Sequence, residues 1–148
     1  MRKALTILAA LSILLVAGQA TAGKPVTPES IEGATVVDAE WVKANLGKVK
    51  IYDARKKGEY VENHIPGAIS AYYKEKSAKS PDFDPSKDKF QLEKYPKDKN
   101  TPIVVYCNGP KCWKSYKSVV RLVKNGYKNV YWLREGFPGW TKKGYPTE

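Results

Sequence analysis

The stretch "TPIVVYCNGPKCWKSYKSVVRLVKNGY", residues 101–127, restricts the fold more than any other part of the chain. Its first half, Ile103-Val104-Val105-Tyr106, is a continuous run of β-branched and aromatic residues with no polar alternation. Such a strand has no wet face, so it belongs inside a parallel sheet covered on both sides. A parallel neighbour needs a crossover connection. The second half supplies one: Tyr116, Val119, Val120 and Val123 recur at helical spacing between Trp113 and Lys124. Gly126 then stands where a left-handed residue closes a helix.

The rest of the chain repeats this alternation. "TVV" is a short strand. "DAEWVKANL" reads as a helix with Asp38 as N-cap, apolar residues at Ala39, Trp41, Val42 and Leu46, and Gly47 as its stop. "KVKIYDAR" places Val49, Ile51 and Tyr52 in a strand, "KKGEYVENHIPGAI" a helical turn and a Pro-Gly turn, and "AISAYY" another strand. Residues 74–100 are polar and broken by Pro81, Pro85 and Pro96, so they read as a loop-rich excursion with a short helix near Lys87–Lys94. "NVYWL" is a last strand and "FPGWTKKG" a last short helix. Strands alternating with helices predict an α/β fold with a mainly parallel sheet, and 148 residues make one domain the default.

The first 22 residues stand apart. Arg2 and Lys3 precede an apolar stretch from Ala4 to Ala17, and small residues follow at Ala20-Thr21-Ala22. This is the layout of a secretory signal peptide cleaved after Ala22, and the apolar part is shorter than the ~20 residues of a membrane span. The expected organisation is therefore a signal peptide (1–22), an exposed Pro-rich leader (23–34) and one domain (35–148), periplasmic or secreted, with no stable membrane insertion after cleavage. The formal charge is +11, from 26 Lys and Arg against 15 Asp and Glu. The lysines are scattered, as on a solvated face with a general pull on anions. Export argues against a nucleic-acid partner, and a monomer is the default.

Cys107 and Cys112 are the only two cysteines. In an exported chain a disulfide is the ordinary reading, although a bridge closing so short a loop staples the fold weakly. Zinc would need more ligands than two thiols and the single histidine, His64, can provide, and no metal or cofactor is implied. Cys107 also ends a buried strand and precedes a Gly-Pro loop and a helix. Ligands bind at the carboxyl ends of strands in α/β sheets. Loop and helix N–H groups, with Lys111 and Lys114, would favour thiolate over thiol there. Cys107 is thus a candidate nucleophile, the alternative being a cysteine that fills space at a strand end.

Three segments carry a resemblance to the single-domain rhodanese-like sulfurtransferase family: "IYDARKKGEYVENHIPGAIS", "IVVYCNGPKCWKS" and "GYKNVYWLREGFPGWTKKGYP". The segments lie within residues 51–146, and the resemblance as a whole runs from about Thr35 to Pro146. The resemblance implies a five-stranded parallel sheet flanked by helices, with Cys107 carrying sulfane sulfur as a persulfide. The donor would be a small sulfur anion such as thiosulfate, or a polysulfide or persulfide. The acceptor would be a thiol, a periplasmic protein among the candidates, or cyanide. The loop from Cys107 to Lys114-Ser115 is two residues longer than the family's usual pattern, and Cys112-Trp113 lies in the added length. That pair is similar to a subset of exported rhodanese-like proteins associated with periplasmic oxidation systems. It opens two other readings: a thiol–disulfide redox protein using Cys107 and Cys112, or a non-catalytic binding module with a permanent bridge. A phosphatase of the same fold would need an arginine at position 113, which is tryptophan.

The remaining candidates divide by role. Asn108, Gly109, Lys111 and Lys114 would act on substrate through loop backbone and charge. Arg55 would either hold an anion or pair with Asp53, and Asp53 reads as the loop-ordering half of that pair. Trp113 would roof the sulfur or cap the core. His64, in "HIPGA", reads as a turn histidine bonded to backbone. Tyr131, Trp132, Phe137 and Trp140 read as packing residues.

Overall fold

The computed structural model describes residues 23–148, so the signal-peptide expectation for residues 1–22 lies outside the described residues. The elements run β1 (Ala34–Val37), α1 (Ala39–Ala44), β2 (Lys50–Asp53), α2 (Lys57–Glu62), β3 (Ile69–Ser70), β4 (Ile103–Tyr106), α3 (Trp113–Lys124), β5 (Val130–Leu133) and α4 (Gly136–Lys142). The five strands form one sheet in the order β1-β5-β4-β2-β3. Every pairing is parallel, as the unbroken apolar run of β4 predicted.

Strand alternation sorts side chains into two cores. Ile103, Val105 and Cys107 enter the layer beneath α3, with Trp113, Tyr116, Val119, Leu122 and Trp132. Val104 and Tyr106 enter the opposite layer, with Ala39, Val42, Leu133, Phe137 and Trp140. All four residues of β4 are buried because both faces are covered. Asp38 caps α1 as expected, its carboxylate accepting from the Trp41 N–H at 2.8 Å. Helix α1 ends at Asn45 rather than at Gly47.

Two further expectations are corrected. Residues 87–94 are not a helix: two short 3-10 turns, Pro85–Lys87 and Leu92–Lys94, flank an extended segment in which Lys89 pairs with Lys74. Asp88 prevents helical continuation, because its carboxylate is drawn to the N–H groups of Lys76 and Ser77 and the hydroxyls of Ser77 and Tyr73. Lys117, fully buried in α3, reaches Glu75 at 2.8 Å and the Ser77 hydroxyl at 2.8 Å and ties the excursion to the domain. The leader is also not free along its length. Residues 23–26 are exposed, but Thr27 is 2% exposed and Ile31 is buried.

Candidate functional site

The loop from Asn108 to Cys112 joins the carboxyl end of β4 to the start of α3. Gly109 takes a positive φ of 103°, which lets the chain turn back over the strand end. The Cys112 N–H then donates to the Gly109 carbonyl at 2.9 Å. This turn brings Cys112 to Cys107, and the two sulfurs form a disulfide.

The surroundings of the two sulfurs differ. Cys107 is fully buried, while Cys112 is partly exposed. The Ser115 N–H lies 3.3 Å from the Cys107 sulfur, and the Ser115 hydroxyl lies 3.0 Å from it. A disulfide sulfur carries no proton, so the hydroxyl is the donor. The indole N–H of Trp132, on the neighbouring strand β5, donates to the Ser115 oxygen at 3.0 Å. Cys112 is the N-cap residue of α3 but makes no side-chain cap bond. The Cys107 sulfur instead accepts from the third residue of the helix, where a cap oxygen would normally do so. The carbonyl oxygen of Cys112 lies 3.3 Å from the same sulfur, an acceptor for the proton of a reduced thiol.

Neighbouring segments hold the loop. The Phe137 N–H, at the start of α4, donates to the Cys107 carbonyl at 2.7 Å. Gly136 leaves the room this needs, since a Cβ there would come within 2.5 Å of the Gly109 nitrogen. The leader closes the other side. Thr27 donates through its N–H and its hydroxyl to the Pro110 carbonyl, each at 2.8 Å. The Trp113 indole donates to the Pro25 carbonyl at 3.0 Å, and Arg134 donates to the carbonyls of Thr27 and Pro28.

The residues singled out in the sequence fall into three groups. Cys107, Cys112, Asn108, Gly109, Lys111 and Lys114 lie on the loop and first turn of α3; Lys111 is exposed and Lys114 partly so. The Asn108 amide donates to Glu59 of α2 at 2.6 Å. Trp113 is buried beside Cys107, edge-on to Tyr116 and pinned by the leader, so it caps the core. Asp53 and Arg55 belong to the opposite layer. Arg55 is 3% exposed, its guanidinium held by Asp53 at 2.6 Å and by the Asn63 carbonyl at 2.7 Å, above the Phe137 ring. Burial alone would lower the pKa of Arg55, but the hydrogen bonds and charge of Asp53 outweigh it and hold it above its ordinary value. The geometry commits Arg55 to Asp53 rather than to an anion at the sulfur. His64 stacks on Tyr60 and donates from Nδ1 to the Tyr60 carbonyl at 2.8 Å. Ser115 carries no role from sequence and Trp132 reads there as packing alone, yet both belong to the candidate site. Their signal was weak: a Ser after the basic loop position, and an aromatic on a strand whose adjacency to β4 only the topology reveals.

A five-stranded parallel α/β sheet with a cysteine loop between its central strand and the next helix defines a class, and comparison with known proteins assigns it. A family model of the rhodanese-like domain matches residues 38–143, and the chain belongs to that family. No curated protein matches the chain. Among solved structures, a thiosulfate sulfurtransferase from Pseudomonas aeruginosa is 28% identical, with a TM-score of 0.58 over 78% of this chain and 20% of that one. The Alr3790 protein from Anabaena sp. is 24% identical, with a TM-score of 0.58 over 76% of this chain and 81% of that one. The BH2092 protein from Bacillus halodurans, 22% identical at a TM-score of 0.58, covers 77% of this chain and is covered over 76% of its own. The last two speak for the fold alone.

Proposed function

We propose that this chain is an exported sulfurtransferase-type protein that takes sulfane sulfur onto Cys107, with Cys112 as the resolving thiol. The observation that carries the reading is the pairing of the two cysteines in the family's loop while N–H and O–H donors converge on the Cys107 sulfur. Those donors favour a thiolate at Cys107. The thiolate attacks the outer sulfur of a donor; the bond from that sulfur to the rest of the donor breaks, and its electron pair leaves with the departing fragment. A persulfide remains on Cys107. An acceptor thiol then takes the outer sulfur. Alternatively, the Cys112 thiolate attacks the Cys107 sulfur, hydrosulfide leaves with the electron pair, and the disulfide forms. In the second route two thiols are oxidised by two electrons and one sulfane sulfur is reduced to sulfide. Thiosulfate is the first donor to try, because one compared structure is named for it. Export, read from residues 1–22, fits a site that passes through a disulfide, since such bonds persist in oxidising compartments.

The disulfide itself supports a second reading, a thiol–disulfide redox protein that exchanges electrons with a partner and carries no sulfur. Intact mass separates the two. The reduced protein is treated with thiosulfate or polysulfide. A gain of one sulfur atom by the Cys112→Ser variant, absent from Cys107→Ser, is the expected result, with sulfide release and disulfide formation in the wild type. Disulfide formation with neither sulfur gain nor sulfide release would refute the sulfurtransferase and leave the redox protein.

A further inference from the structure

We propose that in the oxidised state an incoming thiol attacks Cys112, and that Cys107 departs as the thiolate. The proposal rests on the reading of the pair as a reactive disulfide, but not on sulfur transfer. Access comes first. A thiolate must approach a disulfide sulfur from the side away from its partner. In the disulfide form Cys107 is fully buried under α3, whereas Cys112, although it packs against the same core, is partly exposed on the loop. The leaving group comes second. Exchange is faster when the departing sulfur has the lower pKa, and the fold directs donors at one sulfur only: two from Ser115 face Cys107, against the single Cys112 carbonyl oxygen at 3.3 Å. The first turn of α3 points the Ser115 N–H at Cys107, at the positive end of the helix. The Ser115 hydroxyl adds a second donor. Trp132 fixes its direction: the indole N–H occupies a lone pair of the Ser115 oxygen, which leaves the hydroxyl proton for the sulfur. Among the described residues no comparable donor is directed at the Cys112 sulfur.

The step balances simply. A thiolate of an external dithiol bonds to the Cys112 sulfur. The Cys107–Cys112 bond breaks, and its electron pair stays on Cys107, held by the two Ser115 donors. The partner's second thiolate then attacks the partner's own sulfur in the mixed disulfide, releasing Cys112. The dithiol loses two electrons and the pair gains them. Ser115 touches the reacting sulfur, and Trp132 is a positioning residue acting through it. The polarity runs from the second cysteine in chain order to the first.

The test uses oxidised protein, excess glutathione as a monothiol probe, a rapid acid quench and maleimide capping of free thiols in denaturant. Trypsin cleavage after Lys111 puts Cys107 and Cys112 on separate peptides. Glutathione is expected on the Cys112 peptide and maleimide on the Cys107 peptide. Glutathione chiefly on Cys107, equally on both, or on neither overturns the proposal. The same reaction begun in denaturant should lose the preference; if the preference survives unfolding, it comes from local sequence and the structural account fails. Ser115→Ala and Trp132→Phe should each slow capture about five- to tenfold, the usual effect of one lost hydrogen bond, and lower the reduction potential of the pair. Unchanged rate and potential in Trp132→Phe would remove its positioning role. Because no sulfur donor is present, failure here is distinguishable from failure of the sulfurtransferase reading.

Discussion

Replacing Asp53 with alanine tests whether the Asp53–Arg55 pair is architecture. Both side chains are essentially inaccessible, so solvent screening discounts little of the interaction. The Asp53 carboxylate accepts from the Arg55 side chain, from the Arg55 N–H at 2.9 Å and from the Tyr106 hydroxyl at 2.8 Å. Asp53→Ala strands the guanidinium in a layer built from Tyr106 and Phe137, where the Asn63 carbonyl is its one remaining hydrogen-bond partner among the described residues. Removing one partner of a buried pair costs about 3–5 kcal/mol. With an unfolding entropy of about 2.1 cal/mol/K per residue, a domain of this size should lose roughly 10–20 °C in Tm. Urea unfolding of Asp53→Ala, Arg55→Met and the double variant measures the coupling. The double variant should be less destabilised than the sum of the singles by more than about 1 kcal/mol. Additivity within about 0.5 kcal/mol, or a loss under about 1 kcal/mol for Asp53→Ala, would refute the reasoning. Sulfur loading of Arg55→Met below its unfolding transition should match the wild type. A selective loss of loading would return Arg55 to the anion site.

Other perturbations reach the loop and the excursion. Gly136→Ala forces a left-handed φ on a side chain and drives its Cβ into the Cys107 and Gly109 backbone; it should cost at least about 2 kcal/mol by thermal unfolding. An unchanged Tm would mean the two loops are not interlocked. Trp113→Phe keeps the packing but loses the bond to Pro25. It should cost about 1 kcal/mol and speed proteolysis within residues 23–28, and equal proteolysis rates would sink the idea that the indole anchors the leader. Burial alone would raise the pKa of Asp88, but hydrogen bonds from Ser77, Lys76 and Tyr73 outweigh it and hold it below the ordinary carboxylate value. Its stabilising effect is therefore present above about pH 4 and lost as pH falls through the folded-state pKa. Asp88→Asn should flatten that acid limb of the stability curve, and an unchanged limb would rule Asp88 out as its source.

The sequence disclosed the features that depend on short-range pattern. The unbroken run of β4 required burial on two faces, the spacing in α3 required a packed helix, and Asp38 announced the start of α1. The position of Cys107 after that run marked the candidate site. Tertiary pairing was hidden. Asp88 and Lys117 shape residues 74–95 through partners far along the chain, so a local reading of Lys87–Lys94 produced a helix that the fold does not allow. Trp132 reaches Ser115 only because β5 lies beside β4, an adjacency that the order of elements does not state. The leader looked like a polar tail because its bonds use backbone carbonyls and the buried Thr27, which leave no compositional trace. Asp53 and Arg55 were recognised as a pair, but their layer was not, because strand alternation after β2 decides it.

The disulfide and its polarising donors are assembled from segments of very different reach. Cys107 and Cys112 are separated by five positions, so even an unfolded chain can bring their sulfurs together within fractions of a microsecond. Ser115 also lies close by, but its orientation depends on Trp132 and the loop depends on Thr27 and Arg134, which join only when both ends of the domain have docked. In an oxidising compartment the pair can thus be oxidised before folding is complete without trapping a wrong topology, as a bridge between neighbours that native folding retains. Its inequality arrives late, with the last strand. The chain would emerge with an ordinary disulfide and acquire a directional one on completing its fold, so that the reactivity of the pair reports whether the domain is finished.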